Sequence, residues 1–175
     1  QDTLTGALQP VPHAPAVNLG YKPEHVALVQ RALVAVTQGG TSTRVFAGAG
    51  YLSAGKTGTA QAVTIGQKDK YNSARLAERQ RDHALYMAFA PAQDPQIAVA
   101  VIVENAGWGA GVAAPFARRV FDYMLLGQYP SVEDMAAVRN GTAAAPIGTP
   151  RSVAAMRAAL AEEVAAAQRD MATKK

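Results

Sequence analysis

Two short apolar runs separated by a proline-bounded turn constrain this chain more than any other feature. In residues 83–90 the larger side chains His83, Leu85, Met87 and Phe89 alternate with Ala84, Tyr86, Ala88 and Ala90. In residues 97–104 Ile97, Val99, Val101 and Val103 alternate with Ala98, Ala100 and Ile102. Period-two alternation marks strands. Pro91-Ala-Gln-Asp-Pro95 between them is short enough to reverse the chain, which predicts an antiparallel hairpin. Both faces of each strand are apolar, so both are expected to be covered, with the alanines letting a helix approach closely.

The flanking segments supply the helices. From Pro23 to Gln38 the pattern is helical, with proline suited to the first turn and Gly39-Gly40 as a stop. Val26, Val29, Leu33 and Val36 fall at helical spacing and Leu28, Ala32 and Ala35 widen the stripe, which predicts a mostly buried helix. Residues 41–63 hold too many glycines for a helix and read as a loop leading into a strand over 51–63. A polar excursion over 66–82 follows, with a short helix expected over 74–81. After the hairpin, glycines 107, 109 and 111 lead into a helix with Pro115 in its first turn and Gly127 past its end. Phe116, Val120 and Met124 form one stripe of it, with Phe121 and Leu125 beside them. A helix, a strand, two paired strands and a helix, in that order, give an α+β arrangement, an antiparallel sheet with packed helices.

At 175 residues there is room for one domain with a core and a tail. We expect the domain over 1–127, a linker over 128–151 and an Ala-rich helical tail over 152–175, capped by Ser152 and carrying Val153, Met156, Leu160 and Val164 at helical spacing.

Several function classes fall away. The longest apolar run, 84–92 if Pro91 is counted, is far short of the roughly 20 residues of a membrane span. The sequence opens at Gln1 with no basic-then-apolar leader. Lys and Arg number 17 against 13 Asp and Glu, a net +4 spread along the chain with no aromatics interleaved, which argues against nucleic acid as a partner. With no cysteine there are no disulfides or thiolate metal sites, and His13 and His25 lack ligand spacing, so no metal or other cofactor is expected.

The chemistry concentrates in Gly50-Tyr-Leu-Ser-Ala-Gly55-Lys56-Thr57-Gly58-Thr59-Ala60-Gln61, which matches three motifs. Gly50, Gly55, Lys56 and Thr57 fit the phosphate loop of nucleotide hydrolases, which requires a helix to begin at the lysine. The glycine and β-branched residues that follow start a helix badly. Ser53 and Lys56 fit S-x-x-K, in which a helix brings the lysine one turn from a nucleophilic serine. In a strand the two would face opposite ways, and Ser53 reads as an ordinary strand residue. The third motif is Lys56-Thr-Gly-Thr59 in strand context. There Lys56 presents a fixed cation, the Thr57 and Thr59 hydroxyls suit a carboxylate, and Gly58 leaves space for a peptide. A free strand edge pairs with such a peptide, and the Thr59 amide is placed to donate to an oxyanion.

The segment Ala54-Gly-Lys-Thr-Gly-Thr-Ala-Gln61 resembles the third conserved motif of the penicillin-binding transpeptidases. The resemblance continues through Tyr71-Asn72, Glu78-Arg79-Gln-Arg81-Asp82-His83, Phe89-Ala-Pro91 and Val103-Glu-Asn105 with its glycine loop. It covers roughly residues 20–127 and points to the class B D,D-transpeptidases of rod-shape elongation in Gram-negative bacteria. The resemblance implies a serine acyl-transfer enzyme acting on peptidoglycan stem peptides and blocked by β-lactams. Its setting would be the periplasmic face of the inner membrane, with an anchor upstream, among glycosyltransferase and elongation-complex proteins. It assigns catalytic work to Lys56, substrate binding to Thr57, Gly58 and Thr59, and the oxyanion to Thr59. Neither the S-x-x-K helix nor the S-x-N or S-x-D loop of the family occurs in a credible place, so this chain is expected to be a C-terminal portion without the nucleophile and inert alone.

Other residues carry plainer expectations. Asp82-His83 and Glu104-Asn105 read as anchors of strand ends. Gly107-Trp-Gly109-Ala-Gly111 lacks the third glycine of a dinucleotide loop, Val112 standing there, and Trp108 is placed at the rim of a cleft. The competing readings are a nucleotide hydrolase built on residues 50–57 and a non-catalytic cell-wall sensor or scaffold.

Overall fold

The computed structural model describes residues 14, 15, 17–64 and 71–173. In chain order it contains α1 (Pro23–Gln38), a one-turn α2 (Thr43–Phe46), β1 (Ala54–Ala60), β2 (His83–Ala90), β3 (Ile97–Val103) and α3 (Ala113–Leu126). Beyond these lie β4 (Gln128–Tyr129), α4 (Val132–Arg139), β5 (Arg151–Ser152) and the long α5 (Val153–Thr173). The fold class is α+β, as the pattern predicts.

The hairpin forms as expected. β2 and β3 pair antiparallel with Ala84 opposite Val103 and Ala90 opposite Ile97, while β1 pairs antiparallel on the other side of β2. The sheet order is therefore β1-β2-β3, with β1 at an edge. Ala84, Tyr86, Ala88 and Ala90 turn inward and meet Ala113, Ala117 and Phe121 of α3 and Val45 and Phe46 of α2. Three alanines on the inner side of α3 bring its backbone close to the sheet. The space this leaves is filled by aromatic rings, Phe46 stacked on Tyr86 at 6.1 Å and Tyr51 edge-on to Phe121 at 6.0 Å.

Three expectations are corrected. The hairpin is covered on one face only: Met87 and Ile102 on the other face are 58% and 65% exposed. Helix α1 is largely exposed rather than buried, Thr37 being its one buried residue, because it meets the sheet through its C-terminal turn. Its stripe of Val26, Val29 and Leu33 instead lines, with Phe89, Pro95 and Ala98, an apolar groove of about 600 Å³. On α3 the Phe116, Val120 and Met124 stripe faces outward, because the smaller alanines allow the tighter contact with the sheet. In the polar excursion two 3₁₀ turns, Ser73–Arg75 and Glu78–Gln80, replace the short helix, while residues 65–70 lie outside the described residues.

The stretch 128–151 is likewise not a free linker. It carries α4, whose N-terminus is capped by the Ser131 hydroxyl accepting from the Asp134 amide at 3.0 Å. The carboxylate of Asp134, 1% exposed, pairs with Arg119 through Nε at 3.0 Å and also accepts from the Ile147 amide. Arg119 further donates to the Ala144 carbonyl, so a single guanidinium holds the segment against α3. One residue earlier, Arg118 donates through Nε to both Asp122 oxygens at 2.9 Å and through Nη1 to the Val45 and Ala47 carbonyls, tying α2 to α3. Ser152 caps α5 as predicted, accepting from the Ala155 amide at 3.0 Å.

Two outcomes follow from these buried charges. Asp134→Ala leaves the Arg119 charge buried and unpaired, and chemical denaturation should show a loss of about 3 kcal/mol or more. The Tyr51 hydroxyl donates to Asp122 at 2.8 Å, and burial first, then the Asp122 charge, pushes its pKa well above the ordinary phenol value. Burial also raises that of Tyr86, against a smaller lowering by its bond to Ser42. Raised acids of this kind stabilise the fold fully below the unfolded phenol value of about 10, and that stability falls as pH rises beyond it. In an absorbance titration these two of the six tyrosines should ionise only together with loss of structure.

Candidate functional site

The Lys56-Thr-Gly-Thr59 motif lies within β1, whose outer edge has no strand partner among the described residues. Register fixes which way each side chain points. Lys56 and Gly58 sit opposite Met87 and Leu85 and share the uncovered face, whereas Thr57 and Thr59 sit opposite Tyr86 and Ala84 and share the face of α3. Lys56 is exposed and its ammonium donates to the Thr57 carbonyl at 2.8 Å. The strand therefore presents a cation on one side, two hydroxyls on the other and a bare backbone edge between them.

Strand β1 is held from three directions. Gly55 lies against Tyr86 so closely that a Cβ there would stand 2.5 Å from the phenol oxygen and 2.9 Å from the Met87 carbonyl. The Tyr86 hydroxyl in turn bonds Ser42 Oγ at 3.0 Å, and Ser42 also donates to the Val36 carbonyl at the end of α1. From α1 itself, Thr37 donates to the Ser53 carbonyl at 2.8 Å. The third support is the loop between β3 and α3: a Cβ at residue 109 would fall 2.4 Å from the Gly58 carbonyl oxygen and 2.3 Å from that of Leu85. Only glycine permits that approach.

The alternative motifs lose their structural requirements. Lys56 and Thr57 run on as strand, not as the first turn of a helix, so the phosphate-loop geometry is missing. Ser53 precedes β1 and is 1% exposed, while Lys56 points to solvent, so the serine has no access to ligand. The expected anchors hold: the Asp82 carbonyl accepts from the Gly107 amide at 2.8 Å, and His83 Nδ1 accepts from the Asn105 amide at 3.0 Å. Asn105 takes a left-handed φ of 56°, which starts the loop back toward β1. Trp108, next to Gly109, is exposed. Among the described residues no group of three or more His, Cys, Asp or Glu is placed to hold a metal ion, and no helix is long and apolar enough to cross a membrane.

Sequence reasoning missed two contributors. Thr41 places its hydroxyl 3.1 Å from that of Thr57, and Tyr86 reads from sequence only as one member of an alternating strand. The signal for the second was present in Gly55, a glycine in the middle of a strand pattern, which marks a close approach.

Known proteins resemble this chain over the same region. Residues 8–122 match the penicillin binding protein transpeptidase domain. Peptidoglycan D,D-transpeptidase MrdA of Haemophilus influenzae is 48% identical over 94 residues, covering 54% of this chain and 14% of that protein. MrdA of Acinetobacter baumannii is 46% identical over 110 residues, covering 63% of this chain and 16% of that protein. This chain thus spans less than a fifth of the length of either relative. A crystal structure of Pseudomonas aeruginosa PBP2 in complex with WCK 5153 aligns at 44% identity with a TM-score of 0.49, covering 60% of this chain and 20% of that one.

Gly109→Ala tests the support beneath the motif. The methyl meets two backbone oxygens that cannot swing aside, so the loop must lift from β1, and thermal unfolding should show a loss of about 1–3 kcal/mol. Gly107→Ala, whose added methyl meets open space at a φ of 82°, should act through backbone strain alone and cost less, about 1 kcal/mol.

Proposed function

This chain belongs to the penicillin-binding protein transpeptidase family, and we propose that residues 56–59 are one wall of a peptidoglycan D,D-transpeptidase site whose serine nucleophile lies outside the chain. The observation that carries this reading is the position of Lys56-Thr-Gly-Thr59 on an open sheet edge, cation and hydroxyls on opposite faces. An extended stem peptide ending in D-Ala-D-Ala adds to that edge as a further strand, its main chain pairing with β1. The Thr57 and Thr59 hydroxyls hold the terminal carboxylate, and Lys56 sets the potential around the attacking serine oxygen.

In the reaction the serine oxygen bonds to the penultimate D-alanine carbonyl carbon, and its proton leaves through the cation-organised network to the departing amine. The Thr59 amide donates to the oxyanion of the tetrahedral intermediate, and terminal D-alanine departs. An amine of a neighbouring stem then displaces the serine and closes the cross-link. β-Lactams enter by the same edge and stop at the acyl stage. Sequence likeness to MrdA, a D,D-transpeptidase by name, supports this reading. On this reading the chain works at the periplasmic face of the inner membrane, beside glycosyltransferase and elongation-complex proteins.

Intact mass after incubation with benzylpenicillin tests the division of labour. This chain should gain no mass, and a longer chain of the same gene that includes an S-x-x-K serine should gain one penicillin. Lys56→Ala in the longer chain should slow acylation by about 100-fold or more. An adduct on Ser53 of this chain would contradict the reading, as would a longer chain that is never acylated, which is the behaviour of a scaffold.

A further inference from the structure

We infer that His83 is a positioning residue for the β1 site, keeping the glycine loop seated on that strand only while its imidazole is neutral. The inference rests on the reading of residues 56–59 proposed above. His83 begins β2 and is half-buried. Its Nδ1 accepts from the Asn105 amide at 3.0 Å, and a backbone N–H can only donate. Nδ1 therefore carries no proton, and the ring is the neutral tautomer protonated at Nε2. A second proton would take the same lone pair, so the charged ring and this hydrogen bond exclude each other.

What the bond holds is the near end of the loop between β3 and α3. Asn105 and Gly107 both turn left-handed, with φ of 56° and 82°, and two adjacent residues fasten them. His83 takes the Asn105 amide, and the Asp82 carbonyl takes that of Gly107 at 2.8 Å. The far end is fastened separately, the Ala114 amide donating to the Gly109 carbonyl at 2.9 Å. Between the two ends Gly109 rests on β1, where a Cβ would stand 2.4 Å from the Gly58 carbonyl oxygen and 3.2 Å from its nitrogen. Gly58 lies between Thr57 and Thr59, so the seat of the loop sets the backbone of the motif. When His83 gains a proton its ring must turn away from the Asn105 amide. The near end then hangs on the Asp82 carbonyl alone, and Gly109 lifts from Gly58. Among the described residues, the charged and titratable groups about the ring are few. Arg81 and Asp82 precede it, Tyr71 accepts from the Asp82 amide through its hydroxyl at 3.0 Å, and Glu104 stands one step past the last pair of β3. Strand β1 brings none, Ala60 being opposite His83, and residues 105–112 carry none. These groups set the pH at which the exchange occurs and leave the exclusion itself unchanged.

The test is a scan from about pH 8 to about pH 5 on the nitrogen-15-labelled chain, following the His83 ring and the backbone amides by NMR. At the upper end His83 should show a bare Nδ1 and a protonated Nε2. As the ring titrates, the amides of Asn105, Gly109 and Gly58 should shift with the same midpoint. In His83→Asn the side-chain oxygen stands near the place of Nδ1 and accepts at every pH, so those amides should hold their positions throughout. His83→Ala should show at the upper end the shifts that the unaltered chain shows only at the lower. In the longer chain that carries the serine, the rate of acylation by benzylpenicillin should fall with the same scan about tenfold further than that of its His83→Asn variant. Amides of Gly58 and Gly109 that stay still while His83 titrates, or that move equally in His83→Asn, overturn the inference and leave the reading of β1 standing. So do identical pH profiles for the two longer chains. A longer chain that is never acylated overturns the reading of β1, and the positioning role with it.

Discussion

The seating of Tyr86 beneath Gly55 is the contact on which the rest of this structure depends. Tyr86 is 1% exposed, belongs to the middle strand, and stacks on Phe46 from the turn after α1. Its hydroxyl sits where a side chain at residue 55 would otherwise be, and bonds Ser42. A ring in that crease fixes the register of β1 on β2, and the bond to Ser42 fixes the end of α1 against both. Register in turn decides that Lys56 faces one way and Thr57 and Thr59 the other. A slip of one residue would exchange them and dissolve the site.

How much of this was legible in sequence can be judged residue by residue. The hairpin was legible because period-two alternation over 83–90 and 97–103 has no competing interpretation once a proline-bounded turn separates the runs. Helix α1 was legible to both its ends, Pro23 and Gln38, because proline and a pair of glycines bound it. Burial was not. The stripe on α1 and the two apolar sheet faces state that something covers them, and sequence alone does not say that the covering atoms belong to this chain. The apolar groove between α1 and Phe89 and the exposed Met87 and Ile102 are where that assumption fails.

The stretch 128–151 failed for a different reason. Its Gly, Ala, Thr and Pro content is that of a linker, but its order comes from two charged side chains that composition treats as surface residues. Arg119 and Asp134 are both buried, and each satisfies backbone groups as well as the other. Long-range pairing of this kind leaves no periodic trace. The candidate site was legible at its chemistry, Lys56, Thr57, Gly58 and Thr59, because those residue types are rare together in a strand. It was not legible at its supports. Thr41, Tyr86 and Gly109 reach the motif from elements 16 to 51 positions away in the chain, and only folding brings them there.

We propose that the outer edge of β1 receives a peptide strand. Amide hydrogen exchange on the labelled chain, with and without a saturating acyl-D-Ala-D-Ala peptide, addresses it directly. Exchange should slow at outward-facing amides of residues 56–59, with no comparable slowing along β3, the opposite edge of the sheet. Unchanged exchange in β1 together with slowed exchange at β3 or in the groove lined by α1 would contradict it.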